Sequence, residues 1–124
     1  MYQRLFIPQR MAGLNDLIGA INRNRFLGNQ LKQNETNLVA LYAKRLKPCQ
    51  YPVYIDFRYY EPNAKRDPDN IAAAKKFILD GLVVAGILPN DTQKWILGFR
   101  DTWTVSDTVG VEILIKEDMG ELYE

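Results

Sequence analysis

The segment Tyr51–Tyr60 constrains the fold more than any other part of the chain. Apolar and more polar residues alternate along it, with Val53, Ile55, Phe57 and Tyr59 on one face. Because successive side chains of a strand point to opposite faces, this pattern predicts a β-strand with one buried face. Such a face has to be covered, so the remaining elements must supply a second layer.

A helix is predicted after the polar loop at residues 61–68. Its apolar positions recur at helical spacing: Ile71, Ala74, Ile78, Leu82 and Ala85. This stripe predicts one continuous helix over residues 69–85. We expect Asp69 or Asn70 to cap it and Gly86 to end it.

Weaker patterns complete the predicted order of elements. We expect a strand at residues 2–8, a helix at 15–27 interrupted by Gly28-Asn29, and a second helix at 35–46. Residues 95–99 and 109–115 are predicted to form the last two strands. The resulting order, β-α-β-α-β-β, predicts an α+β fold in which helices pack on a mixed sheet. A length of 124 residues indicates one two-layer domain over residues 1–124.

Residue usage excludes several kinds of chemistry. The chain has no histidine, which removes His-based general bases, Ser-His-Asp and Cys-His nucleophile systems and His-ligated metals. A single cysteine, Cys49, excludes an intrachain disulfide and a thiolate cluster, and we expect it to be inert. The N-terminus is too short and interrupted for a signal peptide, and no apolar run is long enough to span a membrane. We therefore expect a cytoplasmic protein with no membrane partner.

Charge is distributed unevenly along the chain. Residues 1–66 carry eleven Lys and Arg against four Asp and Glu, a net +7, whereas residues 67–124 carry five against eleven, a net −6. A basic half suits phosphate neutralisation and an acidic half suits cation binding. This combination favours a metal-dependent enzyme acting on nucleic acid. Segregation of charge within one interleaved fold is the alternative.

The segment Lys65–Asn70 carries the clearest chemical signal. Asp67 and Asp69 flank Pro68 where a loop enters a helix, so their carboxylates are able to converge on one cation. Oxygen ligands alone select a hard ion such as Mg²⁺. The alternative is that Asp-Pro-Asp-Asn serves only as turn and capping chemistry.

Three further positions, Lys76, Asp80 and Asp91, extend this signal. On a continuous helix starting at Asp69, Lys76 and Asp80 lie within about 40° of Asp69, opposite the apolar stripe. Lys75 falls near the edge of the stripe, so Lys76 is the better functional candidate. The alternative explanation of the spacing is a solvated Lys76–Asp80 ion pair. Asp91 follows the end of the helix, where turn chemistry is the alternative.

Taken in order, several motifs resemble the RusA family of Holliday-junction endodeoxyribonucleases, which are often encoded by phages or prophages. The motifs span residues 66–115: Arg66-Asp67-Pro68-Asp69-Asn70, a lysine-containing helix with Leu79-Asp80-Gly81-Leu82, Ala85-Gly86-Ile87, Asp91 and Gly110-Val111-Glu112-Ile113. One feature departs from the family pattern. The family lysine follows the second aspartate by one helical turn, where this chain has Ala73, whereas Lys76 keeps a one-turn spacing to Asp80.

The resemblance implies specific roles. Asp67, Asp69 and Asp91 match the family aspartates that bind Mg²⁺, for which Mn²⁺ is a possible substitute, and Lys76 would assist catalysis. It implies branched DNA as substrate, a homodimer and no nucleotide cofactor. The basic residues that we expect to contact the DNA backbone are Arg23, Arg25, Lys32, Lys44, Arg45, Lys65 and Arg66.

Chain length also bears on the assembly. A helix over residues 69–85 would run about 24 Å, and the six residue steps back to Asp91 cover at most about 20 Å. Asp91 therefore reaches Asp69 only if the helix is shorter or bent, or if a second subunit supplies it. A two-fold dimer would also present two sites for nicking two strands.

Two other functions fit the same residues. A non-catalytic DNA-binding protein could retain the fold and the basic half without using metal. A metal-dependent nuclease could act on other branched or flap DNA. The residues of a metal site indicate which bond is hydrolysed, but they indicate little about the shape of the DNA substrate.

Overall fold

The computed structural model describes residues 2–119 and confirms a single α+β domain with a mixed sheet. Its elements, in chain order, are β1 (Tyr2–Ile7), α1 (Leu14–Arg23), α2 (Arg25–Ala43), β2 (Val53–Glu61), α3 (Pro68–Ala72), α4 (Lys75–Val84), β3 (Ile96–Val105) and β4 (Gly110–Glu117). None of the helices in residues 2–119 combines the length and the apolar character that crossing a bilayer requires.

The sheet has the strand order β1-β4-β2-β3. Strand β4 is antiparallel to both β1 and β2, whereas β2 and β3 run parallel. The parallel pair requires a crossover connection, which α3 and α4 provide. β3 is an edge strand, so within residues 2–119 no other strand pairs with its outer side.

The alternation in β2 is confirmed. Val53, Ile55 and Phe57 are completely buried and Tyr59 is 2% exposed, so this row forms the centre of the core. The apolar face of α4 covers the row with Ile78 and Leu82, and β4 contributes its own buried side chains to the same core. Burial of one side-chain row on β2 explains why its period-2 pattern is recognisable in the sequence.

The first helical region differs from the prediction. Its break lies at Asn24, whose extended backbone separates α1 from α2 and whose side chain accepts the N–H of Leu27 at 2.8 Å. Gly28, predicted to interrupt the helix, lies inside α2. A Cβ at Gly28 would be 2.6 Å from Cγ1 of Ile21, so this glycine permits close packing of α1 on α2. The helix predicted at 35–46 is the second half of α2, which ends at Ala43.

The predicted continuous helix at residues 69–85 is also wrong, because the chain forms two helices separated by a turn at Ala73 and Ala74. The capping residue of α3 is Asp67. Asn70 has another role: its side-chain oxygen accepts the N–H of Asn15 at 2.9 Å and so serves the start of α1. The Asp69-based helical geometry expected for Lys76 and Asp80 therefore does not apply.

The ends of the closing strands differ from the prediction as well. β3 extends well beyond residue 99, to Val105, and β4 starts and ends slightly later than predicted. Both faces of β3 are largely exposed, so its sequence lacks the strong apolar alternation that marks β2.

We expect Gly81→Ala to destabilise the packing of α2 on α4. A Cβ at Gly81 would lie 2.5 Å from Cβ of Val39 and 3.0 Å from the carbonyl oxygen of Thr36, so the helices would have to move apart. The expected loss is about 2 kcal/mol in the free energy of unfolding, measured by urea denaturation. Gly19→Ala is the matched control, because open space surrounds Gly19 in α1 and the change should stabilise by up to about 1 kcal/mol. Equal stability of the two variants would contradict the prediction.

Candidate metal and nucleic-acid site

Asp67 and Asp69, together called the acid pair, lie at the start of α3. Asp67 occupies the capping position, yet its carboxylate accepts no capping hydrogen bond. Oδ1 of Asp69 accepts the N–H of Asn70 at 2.9 Å. Both carboxylates are exposed, and neither forms an ion pair with a lysine or arginine in residues 2–119. Two neighbouring negative charges without a protein counter-ion suit a hard cation.

The loop before the acid pair is fixed by Arg66. Its Nε and Nη2 atoms donate to the two carboxylate oxygens of Glu61 at 2.8 and 2.7 Å, and Nη1 donates to the carbonyl of Met11 at 3.1 Å. The Arg66 side chain is 10% exposed and that of Glu61 is 8% exposed. The ion pair therefore joins the end of β2, the loop at residues 62–67 (called the acid-pair loop) and the segment before α1. Arg66 is thus bound within the protein, and its predicted contact with DNA stays a prediction.

Gly13 lies against the same structure. A Cβ at this position would be 2.4 Å from Oδ1 of Asn70 and 2.7 Å from Nη1 of Arg66. Only a glycine admits this approach, which puts the start of α1 directly beside the acid-pair loop. This arrangement was not predicted from the sequence, although a signal was present: Glu61 continues the buried row of β2, and a buried carboxylate requires a partner.

A second group of charges lies on the solvent side of α4. Nζ of Lys76 is 3.1 Å from Oδ1 of Asp80 and 3.9 Å from Oδ2 of Asp91. The first contact is the ion pair expected from the four-residue spacing. The second brings Asp91, on the loop after α4, next to the lysine. Lys76 remains 69% exposed, so it is accessible to a ligand.

This group borders a groove of about 530 Å³ between α2 and α4. Asp80 and Asp91 line one side, and Lys32 of α2 lies on the other. Lys32, one of the basic residues predicted to bind DNA, therefore shares a groove with Asp91, a predicted metal ligand. A phosphate entering the groove would meet both a lysine and carboxylates able to hold a cation.

The three predicted metal ligands do not form one site within a single chain. In residues 2–119, no group of three or more His, Cys, Asp or Glu side chains is close enough to hold a metal ion. Asp67 and Asp69 lie together at the start of α3, whereas Asp91 lies with Lys76 and Asp80. The assignment of Asp67, Asp69 and Asp91 to one Mg²⁺ site stays a prediction.

Lys75 is placed quite differently from Lys76. Its Nζ donates to Oδ2 of Asp101 at 2.7 Å and lies 4.5 Å from the ring centre of Phe99. The Tyr59 hydroxyl donates to Oδ1 of the same aspartate at 3.2 Å. Burial, with a smaller effect of Asp101, raises the pKa of Tyr59, so the hydroxyl keeps its proton. Lys75 is thus half-buried against the sheet, and Lys76 is the lysine that faces solvent.

The other predicted DNA-contacting residues are exposed but dispersed. Arg23 and Arg25 lie where α1 meets α2, Lys44 and Arg45 follow the far end of α2, and Lys65 lies in the acid-pair loop. Helix α2 has 19 residues and therefore a length of about 28 Å. These residues form separate groups along the helical layer, and Arg45 additionally donates to the carbonyl of Arg4 at 3.3 Å.

Cys49 is buried, as its expected inertness requires. Burial, with a smaller contribution from Glu117, raises the pKa of the Cys49 thiol to about 12. Because the thiolate is the reactive form, we expect alkylation by iodoacetamide at pH 8 to be roughly a thousand times slower than for an ordinary cysteine. Mass spectrometry of the native protein, with a urea-unfolded sample as control, measures this rate. Rapid labelling of the native protein would contradict the assignment.

No protein-family model matches the chain, and no curated protein matches its sequence.

Proposed function

We propose that the protein is an Mg²⁺-dependent, structure-selective endodeoxyribonuclease that resolves four-way DNA junctions, as the resemblance to the RusA family implies. The observation that carries the proposal is the state of Asp67. This residue is at a helix cap without using its carboxylate as a cap, and it has no cationic partner in residues 2–119. Turn and capping chemistry therefore does not explain the aspartate at position 67. A role as a metal ligand does explain it.

The donor atoms present fit the ion. Asp67, Asp69 and Asp91 offer only carboxylate oxygens, which suit Mg²⁺ or Mn²⁺. A divalent ion held by them would supply Lewis acidity for hydrolysis of a phosphodiester bond. Lys76 is exposed beside Asp91, so its ammonium group would bind and orient the phosphate. Lys32 would hold the DNA backbone in the adjoining groove without reading base sequence.

The proposal includes a homodimer in which one subunit supplies Asp67 and Asp69 and the other supplies Asp91. It is supported by the separation of these residues in residues 2–119, where no three acidic side chains form a metal site. Two-fold symmetry would create two such sites, which matches the need for paired cuts in opposite strands of a junction. We expect the enzyme to act in the cytoplasm.

The two rival functions make different predictions. A non-catalytic DNA-binding protein gains nothing from exposed carboxylates beside phosphates, so the acid pair argues against it. A nuclease for flaps or other branched DNA would use the same site, and only the substrate distinguishes it from a junction resolvase.

The test is cleavage of an end-labelled synthetic four-way junction in Mg²⁺, with linear duplex and flap DNA as matched substrates and EDTA as control. We expect paired symmetric nicks in the junction alone, abolished by EDTA. Metal-dependent cutting of every substrate would refute junction selectivity and support the general nuclease. Junction binding without cutting under Mg²⁺ or Mn²⁺ would support the non-catalytic alternative.

A further inference from the structure

Within residues 2–119, the helices pack on one side of the sheet, the side that carries the buried row of β2. The opposite side is called the open face. It carries four residues of β2 and the residues of the other strands in register with them: Tyr54, Asp56, Arg58 and Tyr60. We propose that the open face binds single-stranded DNA, whose unpaired bases stack on its aromatic rings. The inference goes beyond metal-dependent cleavage and rests on the proposed function only for the choice of DNA over RNA.

Aromatic side chains lie at both ends of the open face. Tyr2 of β1 and Tyr54 of β2 are 62% and 48% exposed, and they flank the same residue of β4. The ring of Tyr54 lies against Gly98 of β3, where a Cβ would come within 3.2 Å of the ring. Phe6 and Tyr60 lie toward the other end and are partly exposed. Aromatic rings on a nucleic-acid-binding surface stack on unpaired bases with little regard to sequence.

Basic side chains lie among these rings and outnumber the acidic ones. The open face has four basic and two acidic residues, a net charge of +2: Arg4, Arg58, Arg100 and Lys116 against Asp56 and Glu112. A surface that combines arginines with aromatic rings suits a ligand that has both phosphates and bases. None of these basic residues belongs to the helical layer.

The ion pairs of the open face leave positive charge unbalanced. Arg4 and Arg58 share the carboxylate of Glu112, which neutralises only one of them. The hydrogen bond from Arg4, together with that from Arg58, lowers the pKa of the Glu112 carboxyl, so the carboxylate stays ionised and holds both guanidinium groups. Arg100 is exposed and has no acidic partner among residues 2–119. Two positive charges are therefore available to phosphates.

A cavity of about 270 Å³ lies at the Phe6 end of the open face. Its walls are formed by Arg4, Phe6, Tyr60, Thr108 and Glu112. Two aromatic rings and a guanidinium group together offer one nucleotide a stacking surface and a phosphate contact. The cavity is on the side of the sheet opposite to the helices, so it is separate from the groove between α2 and α4.

Charge and chemistry favour a single strand over other occupants. A second copy of the chain would bring two surfaces of net positive charge against each other, which is unfavourable. The centre of a protein–protein interface is depleted in charged residues, whereas Asp56 and Arg58 lie in the middle of the open face. The bases of a duplex are enclosed in its stack, so only unpaired bases are accessible to a ring such as that of Tyr54.

Fluorescence anisotropy with a labelled oligo(dT) of about 15 nucleotides, in EDTA, tests the stacking surface. We expect the wild type to bind with a dissociation constant of about 10 μM, and Tyr54→Ala to weaken binding about tenfold. Tyr54→Phe keeps the ring and should bind as the wild type does. Tyr42→Ala is the matched control, because Tyr42 is a 36% exposed tyrosine on α2. Circular dichroism checks that each variant is folded.

Two results would overturn the stacking surface. One is a wild type that does not bind the oligonucleotide. The other is a folded Tyr54→Ala variant that binds as tightly as the wild type, or no more weakly than Tyr42→Ala does.

Salt dependence tests the phosphate contact. Arg100→Ala should reduce the slope of log affinity against log salt concentration by about 1, because one phosphate contact is lost. Lys94→Ala is the control, since Lys94 is an exposed basic residue in the turn before β3 and lies outside the open face. We expect this variant to keep the slope of the wild type. An equal reduction in both variants would show general attraction to a polyanion and would overturn the assignment to the open face.

Competition tests the identity of the occupant. Unlabelled oligo(dT) should displace the probe at least about tenfold more effectively than duplex DNA of the same length, because duplex bases are not accessible to the rings. Equal displacement by the duplex would overturn the preference for a single strand. More effective displacement by oligo(rU) would overturn DNA as the occupant.

These measurements separate the open face from the enzymatic activity, because EDTA prevents metal-dependent cleavage. Binding of oligo(dT) that depends on Tyr54, by a protein that cuts no DNA substrate, would refute the nuclease and retain the binding surface. Junction cleavage by a protein that does not bind oligo(dT) would refute the binding surface and retain the nuclease.

Discussion

Asp69→Asn is expected to lower Mg²⁺-dependent junction cleavage roughly 10³-fold, the effect of losing about 4 kcal/mol of transition-state stabilisation. The amide keeps the oxygen that accepts the N–H of Asn70, so the turn at the start of α3 is retained. Thermal stability should therefore not fall, and removal of one of two adjacent negative charges favours a small rise. Single-turnover cleavage and calorimetric titration with Mn²⁺ measure activity and metal binding.

The matched control is Asp107→Asn, which removes the same charge from an exposed position in the turn between β3 and β4. We expect its cleavage rate to be within threefold of the wild type. Cleavage by Asp69→Asn at that same level would show that the acid pair does not hold the catalytic metal.

Arg66→Ala is expected to destabilise the protein by about 3 kcal/mol, which corresponds to a melting temperature roughly 10 °C lower. The change leaves the carboxylate of Glu61 buried without its bidentate partner, with Arg10 as the remaining cation at 4.0 Å. Arg66→Lys should recover little, because a single ammonium group does not reproduce the forked contact and the bond to Met11. Thermal and urea denaturation measure both variants.

Lys65→Ala provides the control, because Lys65 is the neighbouring basic residue and its side chain is exposed. It should change stability by less than about 0.5 kcal/mol. If Arg66→Ala were as mild, the buried ion pair would not be what fixes the acid-pair loop.

The parts of the fold that were predictable follow from burial of one side-chain row. β2 is easy to predict from the sequence because its inward side chains lie in the core and its outward side chains contact solvent or ionic partners. Asp56, for example, accepts a hydrogen bond from Nζ of Lys116 at 2.7 Å. The two helix errors arise where tertiary contacts override local preference. Gly28 packs against a helix instead of ending one, and three alanines, good helix formers, nevertheless contain a turn.

The candidate site was predictable in its residue types and not in its grouping. Spacing alone indicated the Lys76–Asp80 ion pair and a pair of metal-suited aspartates. It gave no means of seeing that Arg66 is buried, because that depends on Glu61 and on the main chain of Met11, 55 residues earlier. The difference between Lys75 and Lys76 likewise depends on β3, which the sequence only partly marked.

The capping of α1 by Asn70 gives the acid-pair loop a built-in spectroscopic reporter. The amide proton of Asn15 is bonded to a side chain that follows Asp69 directly in α3. Because the chemical shift and exchange rate of an amide proton depend on its acceptor, the Asn15 resonance would register movement of the loop without any substrate present. Titration of divalent ions followed at that one resonance would separate ion binding from the cleavage that follows it.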